Sequence, residues 1–221
     1  MAISVDNIHK YYTVGGQTVK ALDGVSLDIA DGEYVTVVGT SGSGKSTLMN
    51  ILGCLDSPTS GSYYLDGEDV SQLSDNELSE IRSRKIGFIF QSFNLIPGLT
   101  ALENIELPLL YRRVPKKERG AAALKALESV RLTDRALHRP RELSGGQQQR
   151  VAIARAIAAN PGIILADEPC GNLDSRSGAE VLDILDELSR SGKTIVMITH
   201  NQNTAEKAQR LIRISDGKIV Q

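Results

Sequence analysis

Short apolar runs alternate with polar, turn-forming stretches from the first residues of the chain. Residues 3–5, 25–29 and 34–38 are rich in strand-forming types, and Asp31-Gly32 between the last two reads as a hairpin turn. Residues 62–65 predict another short strand, closed by the turn pair Asp66-Gly67. These segments predict an antiparallel layer lying beside the start of a larger sheet. Farther on, residues 86–90, 162–167 and 194–199 are apolar without polar alternation, as expected of strands covered on both faces in a parallel sheet. Helices with clear start signals lie between them. Ser74 with Glu77, and Thr100 with Glu103, both have capping-box spacing. Pro115 can open a helix over 116–130, and two more are predicted over 145–159 and 176–190. Asp216-Gly217 marks a final hairpin.

The expected fold is α/β in a single domain over residues 1–221. A mostly parallel sheet core, about 1–99 and 160–221, would carry an antiparallel β layer and an inserted helical subdomain, about 100–159. No repeat and no low-complexity tract is visible.

Composition narrows the field without naming a chemistry. The chain has 221 residues, 25 basic and 27 acidic side chains, a net charge of −2 and 41% hydrophobic residues. That length suits one large domain. A near-neutral balance argues against a protein devoted to neutralising nucleic-acid phosphates, so no nucleic acid is expected as a partner. No apolar run approaches the ~20 residues needed to cross a bilayer, and residues 1–10 do not read as a signal peptide. Cys54 and Cys170 lack metal or redox spacing, which points to a reduced, intracellular chain. The expectation is a chain neither membrane-embedded, secreted nor disordered.

Chemistry enters at the end of the strand 34–38. It runs into Gly39-Thr40-Ser41-Gly42-Ser43-Gly44-Lys45-Ser46-Thr47 and then an apolar helix. This is the phosphate-loop pattern G-x-x-x-x-G-K-[ST] in its required strand–loop–helix setting. The glycines let backbone N–H groups converge on an anion, and the helix start adds partial positive charge. Lys45 would reach the β- and γ-phosphates, and Ser46 would ligate Mg²⁺. A second strand ends in Asp167-Glu168, stopped by Pro169. Asp167 would serve the metal, and Glu168 would polarise the water that attacks the γ-phosphate.

A second anion site is written at Leu143-Ser144-Gly145-Gly146-Gln147. Ser144 and Gln147 cap a helix start, while the two glycines expose its N–H groups. Two phosphate sites for one nucleotide are explained by two chains pairing head to tail, each Ser144 loop closing over the partner's Lys45 loop.

At this point the sequence resembles the ATP-binding cassette (ABC) ATPases over nearly its whole length, since Leu143-Ser144-Gly145-Gly146-Gln147 matches their signature and precedes Asp167-Glu168 as expected. It is most similar to the macrolide-exporter and lipoprotein-releasing branch, through Gly53-Cys54-Leu55-Asp56, Phe93-Asn94-Leu95-Ile96-Pro97 and Gln147-Gln148-Gln149-Arg150. The resemblance implies that Tyr12, or alternatively Tyr11, stacks on adenine. It implies that Gln91 contacts Mg²⁺ and water, that Asn172-Leu173-Asp174 is the loop through which paired subunits sense each other, and that His200 touches the γ-phosphate. Thr40, Cys170, Asn172 and Asn201 depart from the common residues without removing a catalytic group. Phe88 and Phe90 are expected in the core, while Phe93 either joins them or lines a groove for a membrane partner's helix. The basic run 112–119 is expected to be a solvated helix start.

The resemblance further implies an ATP-hydrolysing transporter subunit, using ATP and Mg²⁺, that dimerises around two ATP. It would drive a separate integral membrane permease from the cytoplasmic face of the cell membrane, with a periplasmic adaptor reached through the permease. Its cargo would be amphipathic: a macrolide, peptide or lipoprotein. The competing expectations are an ABC ATPase with soluble partners, as in iron–sulfur assembly, one transmitting force in cell division, and a nucleotide sensor with little turnover.

Overall fold

The structure, a computed structural model, describes residues 1–220 apart from the side chains of 202 and 203, so the last residue of the expected domain lies outside it. Two sheets share the fold. The first is antiparallel, in the order β2-β1-β4-β5, built from β1 (Ile3–Val14), β2 (Gln17–Ile29), β4 (Ser60–Leu65) and β5 (Glu68–Asp69). The second has six strands, in the order β10-β9-β3-β8-β7-β6: β3 (Tyr34–Val38), β6 (Ile86–Phe90), β7 (Ile163–Asp167), β8 (Thr194–Ile198), β9 (Arg210–Ser215) and β10 (Lys218–Val220). All its pairings are parallel except that of the terminal hairpin, β9 with β10.

The central strands read as their apolar runs require. Every residue of β8 is buried, as are the first four of β3 and of β7. Helices cover the two faces: α1 (Lys45–Leu52) packs with the antiparallel layer, while α5 (Gly145–Ile157) and α6 (Ser175–Arg190) lie on the other side. Residues 100–159 hold α3 (Ala101–Tyr111), α4 (Lys116–Ser129), two 3-10 turns and α5, with no strand among the described residues. α2 (Asp75–Lys85) and α3 both begin at the capping boxes that the spacing predicts.

One turn is corrected. Asp31-Gly32 does not join a hairpin, because β2 belongs to the antiparallel sheet and β3 to the parallel one. The turn hands the chain between layers, and the hairpin partner of β2 is the much longer β1, joined through Gly15-Gly16 at φ 57° and 79°. Residues 8–14 and 17–24 escaped the pattern because they are mostly exposed and three register shifts interrupt their alternation.

The Asp216-Gly217 turn is the expected hairpin, and it also reaches inward. Gly217 N–H donates to Ser43 O at 2.9 Å, and Gly217 O accepts from Asp23 N–H at 2.8 Å. Gly217 sits at φ 73°, and a Cβ there would meet Ala21 O at 2.8 Å. Gly217→Ala should therefore lower stability by about 1–2 kcal/mol or more, read as a fall of several degrees in the thermal midpoint.

Candidate functional site

The loop between β3 and α1 is shaped by what cannot fit around it. Gly44, at φ 104°, is the residue before α1, and a side chain there would collide with the Ala21 carbonyl. Gly39 has no room because a Cβ would strike the Ile214 carbonyl and the Ser43 hydroxyl. Gly42, at φ 78°, has open space on its Cβ side. Lys45 Nζ donates to Gly39 O at 2.8 Å and Thr40 O at 2.6 Å, so the ammonium is held by carbonyl oxygens at the loop's mouth. The Ser43 hydroxyl is buried without a hydrogen-bond partner, while Ser41 and Ser46 are exposed and Thr47 is half-buried. An orphaned hydroxyl, a carbonyl-bound lysine and the free N–H groups of a helix start fit a polyphosphate.

β7, parallel to β3 and separated from it by β8, brings the acidic pair to the same end of the sheet. Asp167 closes β7, half-buried. Burial raises its carboxyl above the ordinary carboxylate range, the charge of Glu168 adds to this, and the Lys45 ammonium opposes it. A carboxylate that close to Lys45, short of compensating charge, fits a divalent cation. Glu168 takes the left-handed conformation at φ 46°. Such a backbone position costs energy in a non-glycine residue and clusters at functional sites. The Glu168 carboxylate accepts from Thr199 Oγ1 at 3.1 Å, from the His200 N–H at 2.9 Å and lies 2.6 Å from His200 Nδ1. Glu168 and His200, 32 residues apart, are thus in direct contact. Gln91 follows β6 and pairs with the Asp167 side of the sheet through another loop. Its Nε2 donates to Asn172 Oδ1 at 3.2 Å, and Asn172 Nδ2 donates back to Gln91 O at 3.2 Å. A Cβ at Gly171 would lie 2.6 Å from that Nε2, so a side chain there would displace the Gln91 amide from Asn172.

Ser144 and Asp174 each cap a helix, at the starts of α5 and α6. Ser144 Oγ accepts from Gln147 N–H at 3.3 Å, and Gln147 Oε1 accepts from Ser144 N–H at 2.9 Å. The Asp174 carboxylate accepts from the N–H groups of Arg176 and Ser177 and from Ser177 Oγ, bonds that hold its carboxyl below the ordinary range. The two glycines after Ser144 differ. Gly146 is required by packing, because a Cβ would press on Ser177 Cβ at 2.6 Å. Gly145 is not, its nearest neighbours being Leu173 Cδ2 at 3.7 Å and Phe93 Cζ at 3.8 Å. Nothing within one chain demands a glycine at that position.

The two tyrosines separate clearly. Tyr11 OH reaches His9 Nδ1 and Asp23 Oδ1, both at 2.9 Å, which keeps it on the hairpin. Tyr12 OH donates to Asp56 Oδ2 at 2.9 Å, which ties it to the segment just after the phosphate-loop helix α1. Two site-supporting residues were missed in the sequence. Gln149 is fully buried, its Nε2 donating to Pro169 O at 2.7 Å and Phe90 O at 3.3 Å. Arg155 donates to Phe93 O at 2.9 Å and Asn94 O at 2.5 Å, just past Gln91, where φ is 57° and 51°. Burial holds its guanidinium below the ordinary value. Only the run of polar residues on an otherwise apolar helix signalled either one.

The phenylalanine expectation is met in part: Phe88 packs against the core cluster, but neither Phe88 nor Phe90 is fully buried. Phe88 and Phe90 are half-buried, stacked at 5.6 Å, and line an open groove of about 1280 Å³ with Leu55, Tyr111 and several arginines. Their side chains leave the sheet on the face opposite Ile89, where the Phe88 ring packs beside Gly53 at the end of α1. Phe93 instead packs toward Gly145. Arg112 and Arg113, from the basic run, stand at this groove too, whereas Arg119 turns inward to Glu106 at 3.3 Å.

Known proteins share this arrangement. The family model described as "ABC transporter" matches residues 22–171. An uncharacterised ABC transporter ATP-binding protein of Thermotoga maritima is 54% identical over 213 residues, 96% of this chain and 91% of that protein. The macrolide export ATP-binding/permease protein MacB of Brucella melitensis is 53% identical over 218 residues, 99% of this chain but 34% of its own length. Among solved structures, the dimeric MJ0796 cassette of Methanocaldococcus jannaschii has a TM-score of 0.92 at 49% identity, covering 99% of this chain and 97% of that one. The same cassette in a post-hydrolysis dimer with ADP and Pi also gives 0.92, at 48% identity. With identity near half sustained along its length, the chain belongs to the ABC transporter family, as an ATP-binding and ATP-hydrolysing subunit.

Proposed function

We propose that two copies of this chain close head to tail around two ATP molecules and thereby move a separate integral membrane permease. The observation that carries this is Gly145: the helix start at Ser144 is exposed and carries a glycine that the chain itself does not require. A γ-phosphate held by the partner's Lys45 loop supplies the requirement, because a backbone N–H must approach it closely.

In this reading Gly39, Ser41, Gly42, Ser43 and Gly44 wrap the phosphates with main-chain N–H groups, Thr47 reaches the phosphate nearest the ribose, and Lys45 draws charge from the γ-phosphate. Ser46, Asp167 and Gln91 would hold Mg²⁺, which neutralises phosphate charge when bound. Glu168 orients the attacking water in line and takes its proton, while His200, held by Glu168 through Nδ1, offers its other nitrogen to the γ-phosphate. Ser144, Gly145, Gly146 and Gln147 of the partner complete the cage, and Asp174 lies in the loop between the two sites.

The helical region, residues 100–159, is read as a unit that swings on the core, carrying Ser144 at one end. The groove lined by Phe88, Phe90 and Tyr111 receives the permease, since Tyr111 is 82% exposed and the Phe88–Phe90 stack is only half-buried. Arg155, beside Phe88, Phe90 and Tyr111, holds the Phe93 and Asn94 carbonyls just past Gln91, and so would link docking to chemistry. No helix among the described residues is long and apolar enough to cross a membrane. On this reading the subunit works at the cytoplasmic face, and the permease, with any periplasmic adaptor, would choose an amphipathic cargo. This is preferred to assembly with soluble partners because the MacB relative joins an ATP-binding part to a permease in one protein.

Glu168→Gln should still bind ATP, turn over roughly 10²–10⁴-fold more slowly, and sediment as an ATP-dependent dimer. A monomer by light scattering at saturating ATP would reject the pairing. Lys45→Ala should lose at least about 10²-fold in phosphate release, with unchanged release rejecting the assignment of the loop. Arg155→Ala should lower kcat roughly 10–100-fold while leaving KM for ATP within about twofold, because it loosens the Gln91 loop and not the phosphate cradle.

A further inference from the structure

Tyr12 is anchored at more than its backbone. α1 starts under the phosphates at Lys45 and ends at Leu52, and the chain just beyond it folds back so that the N–H groups of Leu55 and Asp56 both donate to Asn50 O, at 2.8 and 3.2 Å. Asp56 is thus tied to the far end of the phosphate-loop helix. Its carboxylate is supported from two parts of the fold. Lys10 Nζ donates to Oδ1 at 2.6 Å and Ser57 N–H donates to the same oxygen at 2.8 Å, while Tyr12 OH donates to Oδ2 at 2.9 Å. Lys10 Nζ also donates to Ser57 O at 2.8 Å, which completes the set. The same ammonium stands 5.1 Å from the centroid of the Tyr12 ring. Lys10 is 14% exposed and Asp56 31%, so these bonds are partly sheltered from water.

The consequence is a ring fixed in position and in facing. Its hydroxyl is tied to the end of α1, one face lies under a cation, and the remainder is open, with Tyr12 38% exposed. A freely rotating tyrosine would lose that freedom on stacking, at the expense of affinity. A tethered one has lost it already. A cation on one face also makes that face unavailable to a base.

We propose that Asp56, braced by Lys10, is the positioning residue for base recognition: it pins Tyr12 at a set distance along α1 from the phosphate loop and leaves one ring face for adenine. This rests on reading Tyr12 as the residue that stacks on the base. The lowered carboxyl of Asp56 agrees with a carboxylate that stays charged while it holds both partners, its burial being outweighed by the bonds from Lys10, Tyr12 and Ser57. Neither Lys10 nor Asp56 needs to touch the nucleotide.

The test compares ATP with tripolyphosphate, which occupies the phosphate loop without a base. In the full chain, Asp56→Asn and Tyr12→Phe should each raise KM for ATP about 2–10-fold, the range expected for one hydrogen bond, with kcat within about twofold. The double variant should be no worse than the worse single, since both remove one tether. The inhibition constant of tripolyphosphate should not move in any of them. An unchanged KM in both single variants overturns the proposal. So does an equal weakening of tripolyphosphate, which would mean damage to α1 and not to base binding. Tyr12→Ala separates stacking from positioning. If it leaves KM for ATP unchanged, the stacking reading itself falls; if it raises KM while Asp56→Asn does not, only the role of Asp56 falls.

Discussion

The main-chain bridge from Asp23 through Gly217 to Ser43 is the constraint on which the rest of the site is built. The Gly217 residue of the terminal hairpin accepts from the antiparallel layer and donates to the phosphate loop. Three regions distant in sequence therefore set one loop: β2 through the Ala21 carbonyl against Gly44, β9 through the Ile214 carbonyl against Gly39, and the hairpin turn through Gly217. A loop that must present N–H groups inward cannot hydrogen-bond them among themselves, so its shape has to be imposed from outside. Backbone contacts from neighbours do this without adding a side chain that would compete for the anion.

With that loop fixed at the end of β3, parallel pairing does the remaining placement. β8 lies directly beside β3 and β7 beside β8, so Asp167, Glu168 and His200 arrive at the same edge as Lys45. The strain at Glu168 belongs to this geometry. Turning the chain sharply after Asp167 lets Glu168 N–H bond to Ile198 O across β8 while its carboxylate meets Thr199 and His200. A residue in the ordinary extended conformation would continue the strand and carry the carboxylate away from that pair.

The sequence carried the parts of this site that are local. A strand, a glycine loop and a helix are contiguous, and so are the strand end at Asp167 and the capped helix at Ser144; each is legible because spacing along the chain is also spacing in space. The fully buried strands were legible for the same reason, as unbroken apolar runs. Long-range and exposed features were the ones missed. The β1–β2 hairpin is mostly solvent-facing with a broken register, so alternation fails there. Phe88 and Phe90 looked like core because apolar residues usually are, yet a groove leaves them half-covered. Arg155 and Gln149 hold carbonyls 61 and 59 residues away, and no local pattern marks a side chain whose partner is a distant backbone oxygen. Asn172 stood out in the sequence only as a departure from the family's common residue. It is instead one half of a reciprocal pair with Gln91.

The room for a methyl group at Gly145, whose neighbours stand at ordinary contact distance, has a genetic meaning. A methyl group there meets no obstruction within its own chain, so folding and abundance would not register it. In a head-to-tail pair such a chain keeps an intact phosphate loop and borrows the Ser144 loop of a normal neighbour. The lesion would be expressed in the neighbour's site and not in its own. Mixed pairs would then hold one sound site and one spoiled site, an inheritance pattern in which a well-folded copy poisons a healthy one.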